Sequence, residues 1–165
     1  MPSAWAASWA HLVPPGGRVL DVAAGRGRHG RWFRARGHPV TLVDIDISGL
    51  DDLAADPEAE IVAADLESGP WPFVDRHFEG VVVVNYLWRP LFPNLIDAVA
   101  PGGALIYDTF AVGQERYGRP RNPDHLLRDG ELLEAVRGRL QVRGYEMGET
   151  GGPAIRQRIA AVRAA

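Results

Sequence analysis

The chain has 165 residues, 46% of them hydrophobic and 24% charged, with a net charge of −3. That length suits one domain with its own core, and the charge balance leaves no polycationic footprint for non-specific nucleic-acid binding. The absence of cysteine and of lysine excludes disulfides, thiolate metal sites, thiol nucleophiles, and Schiff-base or P-loop lysine chemistry.

The opening segment, MPSAWAASWAHLVPPGGRV, has neither a basic start nor a long apolar stretch, so it is not expected to be a secretory leader. No run reaches the roughly 20 apolar residues that span a bilayer, and a cytoplasmic protein is expected. Trp5 and Trp9 stand four apart, as on one face of an amphipathic helix. The β-branched run Arg18–Gly25 predicts a first strand stopped by glycine. Arg28–Gly37 has helical spacing, with Trp32 and Phe33 inward and Gly37 as its stop. Pro39–Asp46 reads as the second strand. Ser48 is expected to N-cap a helix through Ala55, with Asp51 and Asp52 at its positive end. Glu60–Leu66 is a third strand. Gly80–Leu87 is a fourth, whose successive valines predict burial on both faces.

A helix over Leu91–Ala100 and a turn at Pro101-Gly102-Gly103 lead into a fifth strand, Ala104–Phe110. Val112–Asp124, rich in Gly, Pro, Arg and Asn, reads as a long loop of the kind that is often functional. Leu126–Arg137 contains a further helix. Arg139–Glu149 and Pro153–Ala164 flank Gly151-Gly152 and predict a closing antiparallel hairpin. Strands alternating with helices argue for an α/β sheet with right-handed crossovers. In such sheets ligands bind at the carboxyl ends of the strands.

The first of those ends reads VLDVAAGRGRHG. Gly25, Gly27 and Gly30 let the backbone turn tightly and approach a ligand. Asp21 precedes this turn, where a dinucleotide fingerprint has an apolar residue. Asp44 closes the second strand 19 residues after Gly25, the position from which a carboxylate meets ribose hydroxyls. Arg26, Arg28 and Arg31 crowd the same turn and are expected to pair with carboxylates of the chain such as Asp44 and Asp46.

Asp21, the glycine turn and Asp44 together resemble the S-adenosylmethionine-binding motif of class I methyltransferases, and the resemblance runs from Arg18 to the terminal hairpin. The family pattern has an acidic residue before G-x-G-x-G. Here Ala23 stands for the first glycine, a change that suits a negative φ. The resemblance implies a three-layer Rossmann-like sandwich with a mostly parallel, seven-stranded sheet closed by the hairpin. It implies one domain over 1–165: a helical cap at 1–17, a cofactor-binding half at 18–111, and a substrate loop, helix and hairpin at 112–165. Asp21, Ala23, Gly25 and Gly27 would then face the methionine moiety, Asp44, with Asp46 as the alternative, the ribose, and Asp65 with Leu66 the adenine, Ile45 belonging to the same cofactor site. Asn85 would bridge to the methionine end.

The fourth strand ends in Asn85-Tyr86-Leu87-Trp88-Arg89, which is not the Asn-Pro-Pro-aromatic motif of adenine-N6 enzymes, and cytosine-C5 chemistry needs a cysteine. Nucleic acid is therefore not the expected acceptor, and a small molecule is. The segments Tyr107–Phe110 and Arg121–Leu132 resemble a bacterial branch related to tellurite-resistance methyltransferases. Tyr86, Arg89, Arg119 and Arg121 are the candidate substrate residues, with Arg128 a further cation suited to an anionic group. Tyr86, Asp108 and His125 are the candidate catalytic groups. The histidines His11, His29, His38, His77 and His125 lack ligand spacing, so no metal is expected. A nicotinamide-dependent oxidoreductase and a non-catalytic S-adenosylmethionine-binding module are the alternatives. A hydrolase is disfavoured because no G-x-S-x-G surrounds any serine.

Overall fold

The computed structural model describes residues 1–150 and 152–165; Gly151 of the expected hairpin turn lies outside them. The helices are α1 (Ala4–Trp9), α2 (Arg28–Arg34), α3 (Phe92–Asp97) and α4 (Glu131–Val136). The strands are β1 (Val19–Val22), β2 (Val40–Asp44), β3 (Ala59–Ala63), β4 (Phe78–Val84), β5 (Val99–Phe110), β6 (Gln141–Glu149) and β7 (Ile155–Val162). They form one seven-stranded sheet in the order β3-β2-β1-β4-β5-β7-β6. The pairs from β3 to β5 are parallel, and β7 pairs antiparallel with both β5 and β6. The expected mostly parallel sheet with its closing hairpin is therefore present.

Strand alternation divides the apolar side chains between two cores, one on each face. Leu20, Val22, Val81, Val83, Leu105 and Tyr107 pack with Leu95, Ile96, Leu132 and Val136 from α3 and α4. Val19, Val40, Leu42, Val82 and Ile106 pack with Ala6 of α1, Phe33 of α2, and Leu50. Helices cover both faces of the sheet, and the valines of β4 are buried on each, as expected for a central parallel strand.

Several boundaries differ from expectation. Ser48–Ala55 is a 3₁₀ segment entered at Ile47 without a side-chain cap, so Ser48 is its first residue and not its N-cap. The Asp46 carboxylate takes the Ser48 N–H at 3.0 Å and so removes the need for that cap. The Pro101-Gly102-Gly103 turn lies within β5, as a register shift between Phe78↔Val99 and Gly80↔Ala104. The helix before it accordingly stops at Asp97. Leu126 and Leu127 precede α4 and are buried, Leu127 bridging to Ala111 beside the sheet. Trp32 is partly buried, packed against the core beside the fully buried Phe33 with Arg36 stacked over its ring at 3.6 Å, so both aromatics face inward as expected.

The sheet runs outward through β1, β2 and β3 on one side and through β4 and β5 on the other. The crevice between the β1 and β4 carboxyl ends is the point at which such sheets receive ligands.

Candidate functional site

Asp21 projects from β1 toward α2, and its Oδ2 accepts the Gly30 N–H at 2.8 Å. Burial pushes this carboxyl up to about 7, with the Gly30 bond and Arg28 opposing the rise and Asp44 adding to it. Helix and sheet meet closely here. A Cβ on Gly27 would lie 2.9 Å from both Leu42 Cδ2 and Leu50 Cδ2, and one on Gly30 only 2.6 Å from Leu42 Cδ2. Larger residues would push α2 off β2 and take Gly30 away from Asp21. Ala23 departs from expectation: its φ is +54°, in the left-handed region that costs an L side chain roughly 1–2 kcal/mol. The turn requires that angle because Ala24 N–H donates to Val43 O at 2.9 Å while its own carbonyl accepts Gly27 N–H at 2.8 Å.

Asp44 ends β2 with both carboxylate oxygens engaged. Oδ2 accepts Gly25 N–H at 2.8 Å and Oδ1 accepts Asp46 N–H at 2.9 Å. Asp65 accepts the Ser68 and Glu67 N–H groups on Oδ1, each at 3.0 Å, and those bonds hold its carboxyl below the usual range. Ile45, between Asp44 and Asp46, is 70% exposed. Ala23, Asp44, Ile45, Asp65, Leu66 and Tyr86 line one cavity of about 350 Å³. Asp21, Gly25 and Gly27 build the turn beside it without lining it.

A second cavity, of about 750 Å³, is lined by Asn85, Tyr86, Phe110, Arg119, Arg121 and His125 among others. Glu67 and Tyr86 belong to the walls of both. Tyr86 Oη donates to Glu67 Oε2 at 3.2 Å, and burial raises its phenol well above the usual range. Tyr107 Oη donates to Tyr86 O at 2.8 Å and braces the junction from below. Arg119 and Arg121 are exposed and form no ion pair among the described residues. Glu67, Thr109, Phe110 and Pro120 also line this cavity and were not singled out as site residues. Only their neighbourhood to Asp65, Asp108 and Arg119 marks them in the sequence.

Other candidates sit elsewhere. Arg89 is taken up by Glu131, at 2.6 and 2.9 Å, and by Leu126 O at 2.7 Å. It straps the loop to α4 and is not among the lining residues. Arg128 likewise does not line the cavity; its N–H caps onto Glu131 at 2.8 Å. Asp108 is 2% exposed. Its Oδ1 accepts from Arg156 Nε at 2.7 Å and Arg158 Nε at 3.1 Å, and its Oδ2 accepts from Ser3 Oγ at 2.8 Å. Buried and holding three donors of its own chain, it lines neither cavity. Arg31 finds its carboxylate partner in Asp52, at 2.5 Å, and not in Asp44 or Asp46. Those two instead accept backbone N–H groups, and Arg31 donates further to Arg26 O at 2.9 Å and Gly49 O at 3.1 Å. Arg28 donates to Met1 O at 3.3 Å.

The N-terminal segment docks on the sheet. Trp5 Nε1 donates to Ile159 O at 3.1 Å, and Ser3 N–H donates to His29 Nε2 at 2.9 Å. Burial, with Arg28 adding to it, lowers His29 to about 4, so it serves as a neutral acceptor. Among the described residues no group of His, Asp or Glu is arranged to hold a metal ion, and no helix is long and apolar enough to cross a membrane.

The sequence profile of the methyltransferase-domain family matches residues 19–103. A malonyl-[acyl-carrier protein] O-methyltransferase of Serratia marcescens is 32% identical over 107 residues, which are 60% of this chain and 40% of that protein. The chain thus aligns with less than half of that curated relative. Among solved structures, TehB from Haemophilus influenzae superposes with a TM-score of 0.75 at 16% identity, over 95% of this chain and 60% of that one. A 1,6-didemethyltoxoflavin-N1-methyltransferase of Burkholderia thailandensis, determined with 1,6-didemethyltoxoflavin and S-adenosylhomocysteine, superposes at 0.73 and 20% identity, over 99% and 78% of the two chains. At these identities the two structures establish a shared fold.

Proposed function

From the premise that the chain belongs to the methyltransferase-domain family, we propose that it transfers a methyl group from S-adenosylmethionine to a small-molecule acceptor. The observation that carries this reading is the pair of adjoining cavities at the sheet's switch point, joined through Glu67 and Tyr86. The smaller fits the adenosine half of the cofactor. Ile45 offers an apolar face that is otherwise left in water, a natural seat for a planar base beside acidic groups at the ends of β2 and β3. Asp44 would accept from the ribose hydroxyls while holding Gly25, and Asp65 from the adenine amino group. Asp21, Gly25, Gly27 and Asn85 would address the methionine end.

Residues 18–111 are the cofactor-binding half in this reading, 112–165 complete the acceptor side, and 1–17 form the helical cap. The acceptor would lie in the larger cavity, where Tyr86 and Phe110 offer aromatic surface and Arg119 and Arg121 offer charge to a carboxylate or phosphate. Bound S-adenosylmethionine supplies an already activated methyl group, so the residues need only position the acceptor and exclude water. His125, on the cavity wall, is the remaining candidate for a base where an acceptor must lose a proton.

Thermal unfolding with S-adenosylhomocysteine, NAD or NADP tests the cofactor. At 100 times its dissociation constant the right ligand stabilises by about 2.7 kcal/mol, a rise of several degrees for a chain of this size. Stabilisation by S-adenosylhomocysteine alone, abolished in Asp44→Ala, is expected. A shift with NAD or NADP alone, or with none of the three, overturns the assignment.

A further inference from the structure

Arg156 is unusual among the arginines of the site because it bonds sideways to a lining residue and stacks on another. It lies on β7 opposite Phe110 of β5, with only 12% of its side chain exposed. Nε binds Asp108 Oδ1 at 2.7 Å, and the guanidinium sits 4.4 Å over the Phe110 ring. Its Nη2 reaches the side-chain oxygen of Asn85 and, at 3.3 Å, Asp108 O. Asn85 and Phe110 both line the larger cavity.

Guanidinium has donors only, so the Asn85 atom that meets it must be the amide oxygen. The NH₂ group, with two donors, is thereby left for the cavity side. The backbone of Asn85 is fixed at the same time. Its φ is +57° and its N–H donates to Asp108 O at 2.9 Å. Asparagine tolerates that left-handed angle better than most side chains, and the sharp exit from β4 sets where its amide stands.

We infer that Arg156 is a positioning residue, holding the Asn85 amide so that its N–H donors, never its oxygen, face the bound molecule. This rests on the functional reading above, in which the molecule at the β4 end is the carboxylate-bearing methionine half of the cofactor. The Asp108 carboxylate, tied to Arg158 and Ser3 as well, keeps Arg156 in place. Arg156 touches no reacting atom. Its effect passes through Asn85.

The test uses ¹⁵N relaxation of the Asn85 side-chain amide and titration with S-adenosylhomocysteine, in wild type, Arg156→Met, Arg156→Lys, Asn85→Asp, Asn85→Ala and the Asn85→Ala/Arg156→Met pair. Wild type should show a rigid Asn85 amide, with an order parameter near ~0.85, falling below ~0.6 in Arg156→Met. Asp108 keeps Arg158 and Ser3 in that variant, so the chain should fold, and the amide comparison is read on folded protein. Binding of S-adenosylhomocysteine should weaken about tenfold in Arg156→Met and recover partly in Arg156→Lys. Asn85→Asp, which keeps the oxygen toward Arg156 but turns a carboxylate on the ligand, should bind worse than Asn85→Ala. The paired variant should bind no worse than Asn85→Ala alone. An Asn85 amide equally rigid without Arg156, or additive losses in the pair, overturns the inference. Wild-type protein that takes up no S-adenosylhomocysteine overturns the functional reading instead, and the amide relaxation then decides the inference by itself.

Discussion

At the ends of β1, β2 and β3 each site carboxylate accepts from a backbone N–H: Asp21 from Gly30, Asp44 from Gly25 and Asp46, Asp65 from Glu67 and Ser68. At the ends of β4 and β5 the polar side chains are held by arginines drawn from elsewhere in the chain. Asp108 is tied to Arg156 and Arg158 of β7, and Arg89 to Glu131 of α4. A carboxylate that cages a loop fixes the shape of its own turn and leaves lone pairs for a ligand. An ion pair between distant elements fixes their relative position and consumes the charge. The first arrangement suits a cleft shaped for one cofactor. The second leaves the adjoining wall to Arg119 and Arg121 of the loop, which form no ion pair among the described residues.

The largest expected effect comes from breaking the second arrangement. Asp108→Ala leaves the largely buried Arg156 without its carboxylate, while Arg158 keeps Glu146 at 2.6 Å, and losing one partner of a buried ion pair typically costs about 3–5 kcal/mol. Urea unfolding should report a loss of that order. The corresponding loss in Asp44→Ala should be smaller, near the 1–3 kcal/mol of an unsatisfied hydrogen-bonding group, since Asp44 is not fully buried. Equal losses in the two variants would erase the contrast between caging and bracing.

The same contrast explains what was legible in the sequence. Asp21 and Asp44 stand out as candidates because a short strand, a glycine turn and a strand-end acid lie at fixed local spacing, whereas Asp65 is marked only by the family resemblance. Ile45 and Leu66 follow from their neighbours. Arg156 carries no such signal, for its partners lie 48 and 71 residues away and meet it only after β7 inserts beside β5. Arg89 fails as a substrate residue for the same reason: nothing local says that Glu131 will occupy it. The sheet was legible from strand alternation, whereas the 3₁₀ geometry of Ser48–Ala55 depended on Asp46 turning back to take the Ser48 N–H.

A middle-sized effect is expected for Asp21→Asn, which keeps an acceptor for Gly30 but removes the ionisation. In the fold this carboxyl is pushed up to about 7 by burial, from its ordinary value of 3.8. The fold therefore favours the neutral acid, and this contribution to stability is complete below about pH 4 and lost as pH rises through about 7. Urea midpoints from pH 4 to 8 should show that declining component in wild type and not in Asp21→Asn. With ionised Asp21 addressing the methionine end of the cofactor as proposed, S-adenosylhomocysteine binding should also weaken by up to about tenfold per unit below pH 7 in wild type. An unchanged pH slope in the variant would mean that Asp21 is not the group that titrates.

The smallest effect tests the backbone of the caged side. Ala23 and Asn85 have almost the same left-handed φ, +54° and +57°, one at each side of the crevice. Glycine at Ala23 relieves roughly 1–2 kcal/mol of strain, against about 0.4–1 kcal/mol for the greater freedom of the unfolded chain. For Ala23→Gly nothing else is lost, because the methyl group makes no hydrogen bond, and a net gain of about 0.5–1 kcal/mol is expected as a rise of a few degrees in Tm. Asn85→Gly gains less relief, because asparagine tolerates that angle better, and it gives up the bond to Arg156, so it should come out neutral or destabilised. If Ala23→Gly is destabilising, the β1 turn is not held at the angle that Ala24 and Gly27 impose. If both variants are stabilised alike, the Asn85 side chain contributes nothing to the bracing of β4, and the difference between the two sides does not extend to their turns.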